Sequence, residues 1–275
     1  MTRWRLAVIL PVVVLAGWAL LSLLAQHLPL QPDRIQLESI LSVPGEDALL
    51  GYDDLGRSIG DRMIVGARTS FLVSIWVVGL SLLAGTLLGT ASAYQGGWLD
   101  RVAVLTVDVF MAFPGILLAI ALAGLLGPGI GNVVIALTIV GWVGYARLSR
   151  AQVLSLKHRE HVQAAEALGT SKWRIIRKHL LPLMLAPLIV EATFGIAAVV
   201  IAEAGLSFLG LGVQPPGASW GAMIRDGSRY MLVAPHMVIV PGVAIFAVVL
   251  SVNLLGDRLR DKLDIRMMSE EKDRI

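Results

Sequence analysis

Three carboxylates stand within long apolar stretches of this chain, where an ionisable side chain needs a specific reason to be present. They are Asp108, Glu191 and Glu203. Ionisable residues at membrane depth are costly and usually face a protein interior or a water-filled path. Each acid therefore has two interpretations. It lines a translocation path or gate, or it makes a structural hydrogen bond to a neighbouring helix, which stabilises by roughly 0.6 kcal/mol.

Signatures of other chemistry are missing from the sequence. There is no G-x-x-x-x-G-K-[ST] segment, so the chain does not bind ATP through a P-loop. His158 and His161 lie in HREH, which lacks the H-E-x-x-H spacing of a zinc protease. The absence of cysteine excludes disulfides and thiolate metal sites. The sequence thus predicts no catalytic residues, no metal site and no cofactor within this chain.

The composition indicates a protein that is dissolved in a lipid bilayer. Of its 275 residues, 56% are hydrophobic and 16% are charged, and the mean hydropathy is +0.75. An ordinary soluble domain carries about 25% charged residues, so this chain has too few charges for a water-facing surface of its size. The net charge of +3 is therefore interpreted as a topology signal and not as a nucleic-acid surface.

Apolar runs predict six membrane spans, because a helix needs about 20 apolar residues to cross a bilayer. The first, 6–25, is too long for the apolar core of a signal peptide and is followed by no A-x-A site, so we expect it to stay uncleaved. The Gly- and Pro-rich GPGIGN (127–132) is the expected break between the third and fourth spans. The later spans are expected at 71–94, 102–126, 131–147, 182–203 and 235–256.

The distribution of lysine and arginine between the segments that connect the spans predicts their orientation in the membrane. With the N-terminus inside, the inner segments hold 17 of the 23 Lys and Arg residues and the outer segments hold 6. The positive-inside rule then places both termini in the cytoplasm. We expect one all-α membrane domain, with no internal repeat. Residues 1–70 form the first transmembrane helix and an external segment, 71–256 a core of five transmembrane helices with a cytoplasmic loop at 149–181, and 257–275 a cytoplasmic tail.

The loop between spans four and five is basic and helix-forming. HVQAAEAL (161–168) is rich in strong helix formers, and Gly169 is placed to end that helix through a left-handed cap. SKWRIIRKHL (171–180) resumes a helix, with Ser171 as a candidate N-cap. Trp173, Ile176 and Leu180 are expected to share one apolar face.

Two functions suit such a loop, and its residues alone do not choose between them. It is either a basic amphipathic segment on anionic lipid headgroups or a docking element for a cytoplasmic partner. The small residues Ala164, Ala165 and Ala167 would let another protein approach the backbone closely.

The pattern Gln163-Ala164-Ala165-x-x-x-Gly169, followed by Leu181-Pro182, resembles the EAA loop of ABC importer permeases. Gln163 replaces the usual leading Glu of that loop. The segments 50–71, 107–122 and 201–227 are similar to those of the C-type permeases of dipeptide, oligopeptide and nickel importers. The resemblance covers nearly the whole chain.

This resemblance implies a multi-pass inner-membrane protein with the type I ABC importer permease architecture and both termini in the cytoplasm. In that family the corresponding loop couples the permease to an ATPase, so the resemblance implies the same role for the loop at 149–181. The residues expected to make that contact are Gln163, Ala164, Ala165, Ala167, Leu168 and Gly169. Asp108 and Glu203 belong to motifs shared whatever the cargo, which favours structural roles, whereas Glu191 keeps both interpretations.

The implied partners are a second, homologous permease in a heterodimer, two ABC ATPases that bind ATP and Mg²⁺, and an external solute-binding protein. The chain would supply half of a path for dipeptides, oligopeptides or a nickel chelate, by alternating access. Two alternatives stay open. A membrane-embedded enzyme would need the three acids clustered at one depth, and a passive channel would need no basic helical loop.

Overall fold

The computed structural model describes residues 2–45 and 48–272, excepting the side chains of 2–7 and 264–272. Glu46 and Asp47 of the external segment and residues 273–275 of the predicted tail, including Arg274 from the charge count, lie outside the described residues. Within the described ranges no strand is longer than the isolated bridge between Tyr52 and Ser58. The predicted all-α class is therefore confirmed.

Ten α-helices form the described chain. They are α1 (Thr2–Leu24), α2 (Ile59–Gln95), α3 (Gly97–Met111), α4 (Gly115–Leu126), α5 (Ile130–Leu156), α6 (Glu160–Ala167), α7 (Lys172–Ile175), α8 (Leu181–Phe208), α9 (Trp220–Ser228) and α10 (His236–Lys272). A π-helical turn, Ile176–Leu180, joins α7 to α8. Five helical segments in the described chain are long and apolar enough to cross a membrane alone, and the α3–α4 pair makes six if it counts as one span.

The third span is broken, which the prediction of one helix over 102–126 missed. The axes of α3 and α4 differ by 88° at the break 112–114. Pro114 explains the break, because proline has no N–H to donate and its ring clashes with the preceding helical turn. That signal was present in the sequence.

Several helices extend beyond the predicted spans. Helix α2 begins at Ile59 instead of 71, and α5 ends at Leu156 instead of 147. Hydropathy locates the lipid-crossing part of a helix, whereas local capping decides where the helix ends. At α2, the Ser58 hydroxyl accepts a hydrogen bond from the Asp61 N–H at 3.2 Å, which is an N-cap contact.

The first compact unit comprises Met1–Trp76, Ala119–Leu137 and Ile196–Leu255. Its core gathers apolar side chains from α1, α2, α8, α9 and α10. Trp18 of α1 packs edge-on against Phe71, with ring centroids 5.2 Å apart. Its indole N–H donates to the Ala67 carbonyl at 3.1 Å. These contacts attach α1 to α2 within this unit.

A buried carboxylate joins α2 to α8 in the same unit. Glu203 is 0% exposed. It accepts hydrogen bonds from the Ser70 hydroxyl at 3.0 Å and from the Ser207 hydroxyl at 2.7 Å. A buried polar group that lacks partners is strongly destabilising, so these hydroxyl donors stabilise the carboxylate at this position.

The second compact unit comprises Val77–Leu118, Thr138–Gly195 and Gly256–Ile275. Within it, α2 approaches α5 closely at two buried glycines, Gly85 and Gly89. A Cβ on Gly85 would lie 2.7 Å from the Tyr145 Cβ and 2.8 Å from the Ala146 nitrogen. Small residues at helix contacts are how membrane helices bring their backbones together.

We expect Gly85→Ala to lower the free energy of unfolding by about 1–3 kcal/mol, because the added methyl overpacks a tight contact. Gly79→Ala is the matched control, since Gly79 lies on the same helix with nothing within 4 Å of its Cβ position. Alanine favours helix more than glycine, so the control should melt at or above the wild-type temperature. Thermal unfolding of the purified variants in detergent measures both melting temperatures. Equal decreases for Gly85→Ala and Gly79→Ala would contradict the close contact at Gly85.

Glu203→Leu should also lower the free energy of unfolding, because it leaves the Ser70 and Ser207 hydroxyls buried without an acceptor at a cost of about 1–3 kcal/mol. Glu203→Gln keeps one acceptor oxygen and should lose less. Glu191→Gln is the control, because that side chain is exposed and should leave the melting temperature unchanged. A Glu203→Leu protein that melts like wild type would show that the two hydroxyl contacts are dispensable.

Candidate functional site

The predicted coupling loop folds as a short helix with a glycine end. Helix α6 is followed by Gly169 at φ +78°, a left-handed conformation that glycine adopts without strain. The Gly169 N–H donates to the Glu166 carbonyl at 2.9 Å and the Thr170 N–H to the Ala165 carbonyl at 3.0 Å. These bonds satisfy the carbonyls at the helix end, as the sequence predicted for Gly169.

Most of the predicted coupling residues lie on the open face of α6 and its cap. The exposed ones are Gln163, Ala164, Ala167, Leu168 and Gly169. Ala165 is buried on the opposite face together with Val162. Leu168 is 86% exposed, although it is a large apolar side chain at a helix end. Ala164, Ala167 and Gly169 give the open face small side chains, so that a partner's surface could contact its backbone between Gln163 and Leu168.

Contacts on the inner side of the helices hold this loop in place. The Lys157 ammonium donates to the Ala93 carbonyl at 3.2 Å, and the Tyr94 hydroxyl donates to the Glu166 carboxylate at 3.4 Å. Both contacts connect the loop region to the end of α2. Nothing in the local sequence around residue 94 signals them, because each joins residues more than sixty positions apart.

The second half of the loop differs from its prediction. Trp173 is 66% exposed, whereas Ile175 and Leu180 are both fully buried. The expected apolar face of Trp173, Ile176 and Leu180 is therefore wrong. A regular 3.6-residue period was assumed, and the π-helical turn changes the register from Ile176 onward. Ser171 occupies the N-cap position of α7 as predicted, but its side chain makes no capping hydrogen bond.

The three intramembrane acids have different surroundings. Glu203 is buried on Ser70 and Ser207, as described above. Asp108 and Glu191 are both exposed side chains, and each lines a cavity of its own within the second unit. The described structure does not bring the three carboxylates into one cluster, which the alternative of a membrane-embedded enzyme required.

The first cavity has a volume of about 420 Å³ and lies among α2, α3 and α5. Its lining includes Leu88, Val102, Asp108, Trp142, Arg147 and Arg150. Arg150 binds both carboxylate oxygens of Asp100, at 2.7 and 2.8 Å. Arg147 donates to the Met111 sulfur at 3.4 Å. The rest of the lining is mainly apolar.

The second cavity, of about 420 Å³, lies among α5, α8 and α10. Its lining includes Leu148, Gln152, Val190, Glu191, Phe194 and Arg260. The sequence singled out Glu191 but gave no reason to associate it with Gln152 or Arg260, because the three residues lie on different helices. We call this space the Glu191 cavity.

The segment that is predicted to be external carries a buried charge cluster. Arg57 contacts the Asp53 carboxylate at 2.7 Å, and Arg62 lies 3.5 Å from the same carboxylate. Arg62 also donates to the Pro32 and Pro216 carbonyls at 3.3 and 3.2 Å. Burial, together with the neighbouring Asp53, raises the pKa of Asp54 above its usual value. The cluster ties the segment after α1 to the connection that precedes α9.

A known family matches most of this chain. The profile described as "Binding-protein-dependent transport system inner membrane component" matches residues 81–269. The chain also has the fold of a chain in the inward-facing MetNI methionine ABC transporter, with a TM-score of 0.58 and 20% identity, over 72% of this chain and 94% of that one.

Curated relatives agree with that match. The glutathione transport system permease protein GsiD of Pectobacterium atrosepticum is 42% identical over 226 residues, covering 82% of this chain and 75% of the relative. The dipeptide transport system permease protein DppC of Alkalihalophilus pseudofirmus is 43% identical over 229 residues, covering 83% and 75%. The GsiD of Escherichia coli O1:K1 / APEC is 45% identical over 214 residues, covering 78% and 71%.

These matches confirm the predicted inner-membrane location and the assignment as a transporter subunit and not an enzyme, because the relatives are permeases of transport systems. They extend over the predicted coupling loop and both cavities, all of which lie within residues 81–269. The chain belongs to the inner-membrane permease components of binding-protein-dependent ABC importers.

Proposed function

We propose that this chain forms half of the translocation path of an ATP-driven importer of short peptides. The named relatives handle glutathione and dipeptides and are 42–45% identical to this chain, which supports a peptide as the cargo. A nickel chelate, the other cargo that the resemblance implies, stays a prediction without a structural observation in its favour.

The observation that carries the coupling role is the exposed, small-residue face of α6. An ATPase that docks there would contact the backbone around Ala164 and Ala167 and cover the protruding Leu168. The buried Ala165 packs the opposite face against the protein, so it contributes by keeping the docking face in position. Contacts of Lys157 and Glu166 with the end of α2 connect the loop to the transmembrane helices, so that a displacement of the loop by a docked ATPase would reach α2.

The partners follow from the same proposal. Six spans enclose too little cross-section for a wide aqueous path, so a second, homologous permease completes it in a pseudo-two-fold heterodimer. Two ATPase subunits bind ATP and Mg²⁺, since this chain contains no P-loop. An external binding protein delivers the cargo on the side of the 28–58 segment and α9.

ATP drives the cycle only if it binds two conformations with different affinity. In the proposed cycle, ATP closes the ATPase pair, the docked loops move together, and the permeases rock to face outward. Hydrolysis restores the inward-facing state. Asp108 and Glu191 are the path candidates that line cavities, whereas Glu203 acts as a structural acceptor between α2 and α8.

Uptake by the assembled transporter tests the cargo. The chain and the subunits encoded beside its gene are reconstituted in vesicles, and labelled dialanine, glutathione and a nickel–histidine chelate are supplied with the binding protein. We expect ATP-dependent, saturable accumulation of a peptide. Accumulation of the nickel chelate alone would contradict the peptide assignment.

Cysteine crosslinking tests the coupling surface, because the chain has no native cysteine. Ala167→Cys should crosslink to an ATPase subunit in membranes, with a yield that changes on addition of ATP. Leu232→Cys is the control, because Leu232 is fully exposed but lies between α9 and α10, on the predicted outer side. Equal yields from both positions, or none from Ala167 with folded ATPases present, would return the loop to the lipid-surface interpretation.

A further inference from the structure

The second half of the predicted coupling loop exposes a large aromatic ring among basic side chains. Trp173 is 66% exposed, and four exposed cations lie within five residues of it in the sequence. They are Lys172, Arg174, Arg177 and Lys178. We call Trp173 and these four cations the basic patch. Trp and Arg are enriched in the residues that dominate binding between proteins, so the patch has the composition of a binding surface.

The four cations of the basic patch lack a counter-charge within this chain. None of them makes an ion pair or a hydrogen bond with another described residue. The sequence contains no Asp or Glu between Glu166 and Glu191, and the Glu166 carboxylate already accepts from the Tyr94 hydroxyl. A partner that presents carboxylates would therefore be complementary in charge to this surface.

Two buried side chains fix the basic patch on the protein. Ile175 of α7 and Leu180 at the end of the π-helical turn are both 0% exposed. The backbone that carries Trp173 and the cations is therefore ordered before a partner arrives. A surface that is already ordered loses less conformational entropy when it binds.

The basic patch adjoins the proposed docking face of α6. Leu168 and Trp173, two large exposed apolar side chains, stand on either side of the turn at Gly169. His161 of α6 also lies beside His179 of the π-helical turn, with ring centroids 6.1 Å apart. A protein that covers the open face of α6 would therefore reach the neighbouring patch.

The length of α8 favours a protein over lipid headgroups as the occupant. Helix α8 has 28 residues and is about 42 Å long at 1.5 Å per residue, whereas the hydrocarbon core of a bilayer is about 30 Å thick. Residues 172–178 precede the predicted inner end of this helix. They therefore extend the chain beyond a helix that already exceeds the thickness of the hydrocarbon.

We propose that the basic patch is a second docking surface for the ATPase subunit, next to the open face of α6. The Trp173 ring enters an apolar pocket of the ATPase, and the four cations face an acidic surface around that pocket. This inference deepens the proposed coupling role and rests on it.

Affinity for the ATPase tests the charge of the partner. The two permeases are purified together in a neutral detergent, and binding of the ATPase subunits encoded beside the gene is measured at increasing salt. We expect Arg174→Glu to weaken binding about ten-fold, because it sets like charges against each other, and salt to weaken wild-type binding. Arg229→Glu is the matched control, since Arg229 is exposed on the predicted outer side. Equal affinities of Arg174→Glu and Arg229→Glu would overturn the acidic partner surface.

Truncation of the indole tests the anchor. Trp173→Ala should weaken ATPase binding about ten-fold or more, as expected for a Trp at the centre of an interface, and should leave the melting temperature of the permeases unchanged because the ring is exposed. Trp76→Ala is the matched control, since Trp76 is 60% exposed but lies on α2 within the predicted span 71–94. Wild-type affinity of Trp173→Ala would overturn the anchor.

A lipid contact and a failure of the coupling role give different results. If Arg174→Glu keeps wild-type affinity for the ATPase, but abolishes a stimulation of ATP hydrolysis by phosphatidylglycerol in vesicles of equal parts phosphatidylglycerol and phosphatidylcholine, the patch binds headgroups and the inference is overturned. ATP-sensitive crosslinking of Ala167→Cys, with wild-type affinity in both patch variants, would overturn the second surface and leave coupling through α6 intact. Absence of that crosslink and of wild-type ATPase binding would overturn both.

Discussion

Hydrocarbon offers no hydrogen-bonding partner to a polar group, and the placement of the polar side chains in this chain follows from that constraint. Glu203 meets the constraint internally, because Ser70 and Ser207 both donate to its carboxylate. Asp108 and Glu191 meet it differently, by lining cavities large enough to hold water. The three acids, alike in sequence context, thus divide into one structural group and two that face open space.

The same constraint governs the break in the third span. A bend of 88° between α3 and α4 would leave backbone groups unpaired in lipid. The chain satisfies some of them locally, since the Ala112 N–H donates to the Asp108 carbonyl at 3.0 Å and the Leu117 N–H to the Pro114 carbonyl at 3.0 Å. Asp108 therefore contributes twice at this point, with its carbonyl to the end of α3 and with its carboxylate to the first cavity.

Sequence reasoning succeeded for most local signals, with the break at Pro114 as an exception, and failed where a contact depends on distant residues. Apolar runs located the spans, and Gly169 marked the end of α6, because hydropathy and left-handed caps are short-range properties. One hydroxyl partner of Glu203, Ser207, is four residues away on the same helix, but the other, Ser70, is more than a hundred positions away, and no local pattern joins it to Glu203. The error over the face from Trp173 to Leu180 has another cause: the π-helical turn between them rotates Leu180 relative to Trp173, so the two residues do not share one face.

The course of the chain after α6 connects the proposed docking surface to the Glu191 cavity. Ile175 and Leu180 are buried, so the segment between Gly169 and α8 is fixed at both ends of the π-helical turn. Helix α8 starts at Leu181 and carries Glu191 about 15 Å further along. Because a helix moves as a stiff unit over that length, displacement of the loop by an ATPase would move one wall of the cavity relative to α5. Binding free energies are reciprocal, so a ligand that binds between α5 and α8 in one conformation would shift the docked loop towards that same conformation.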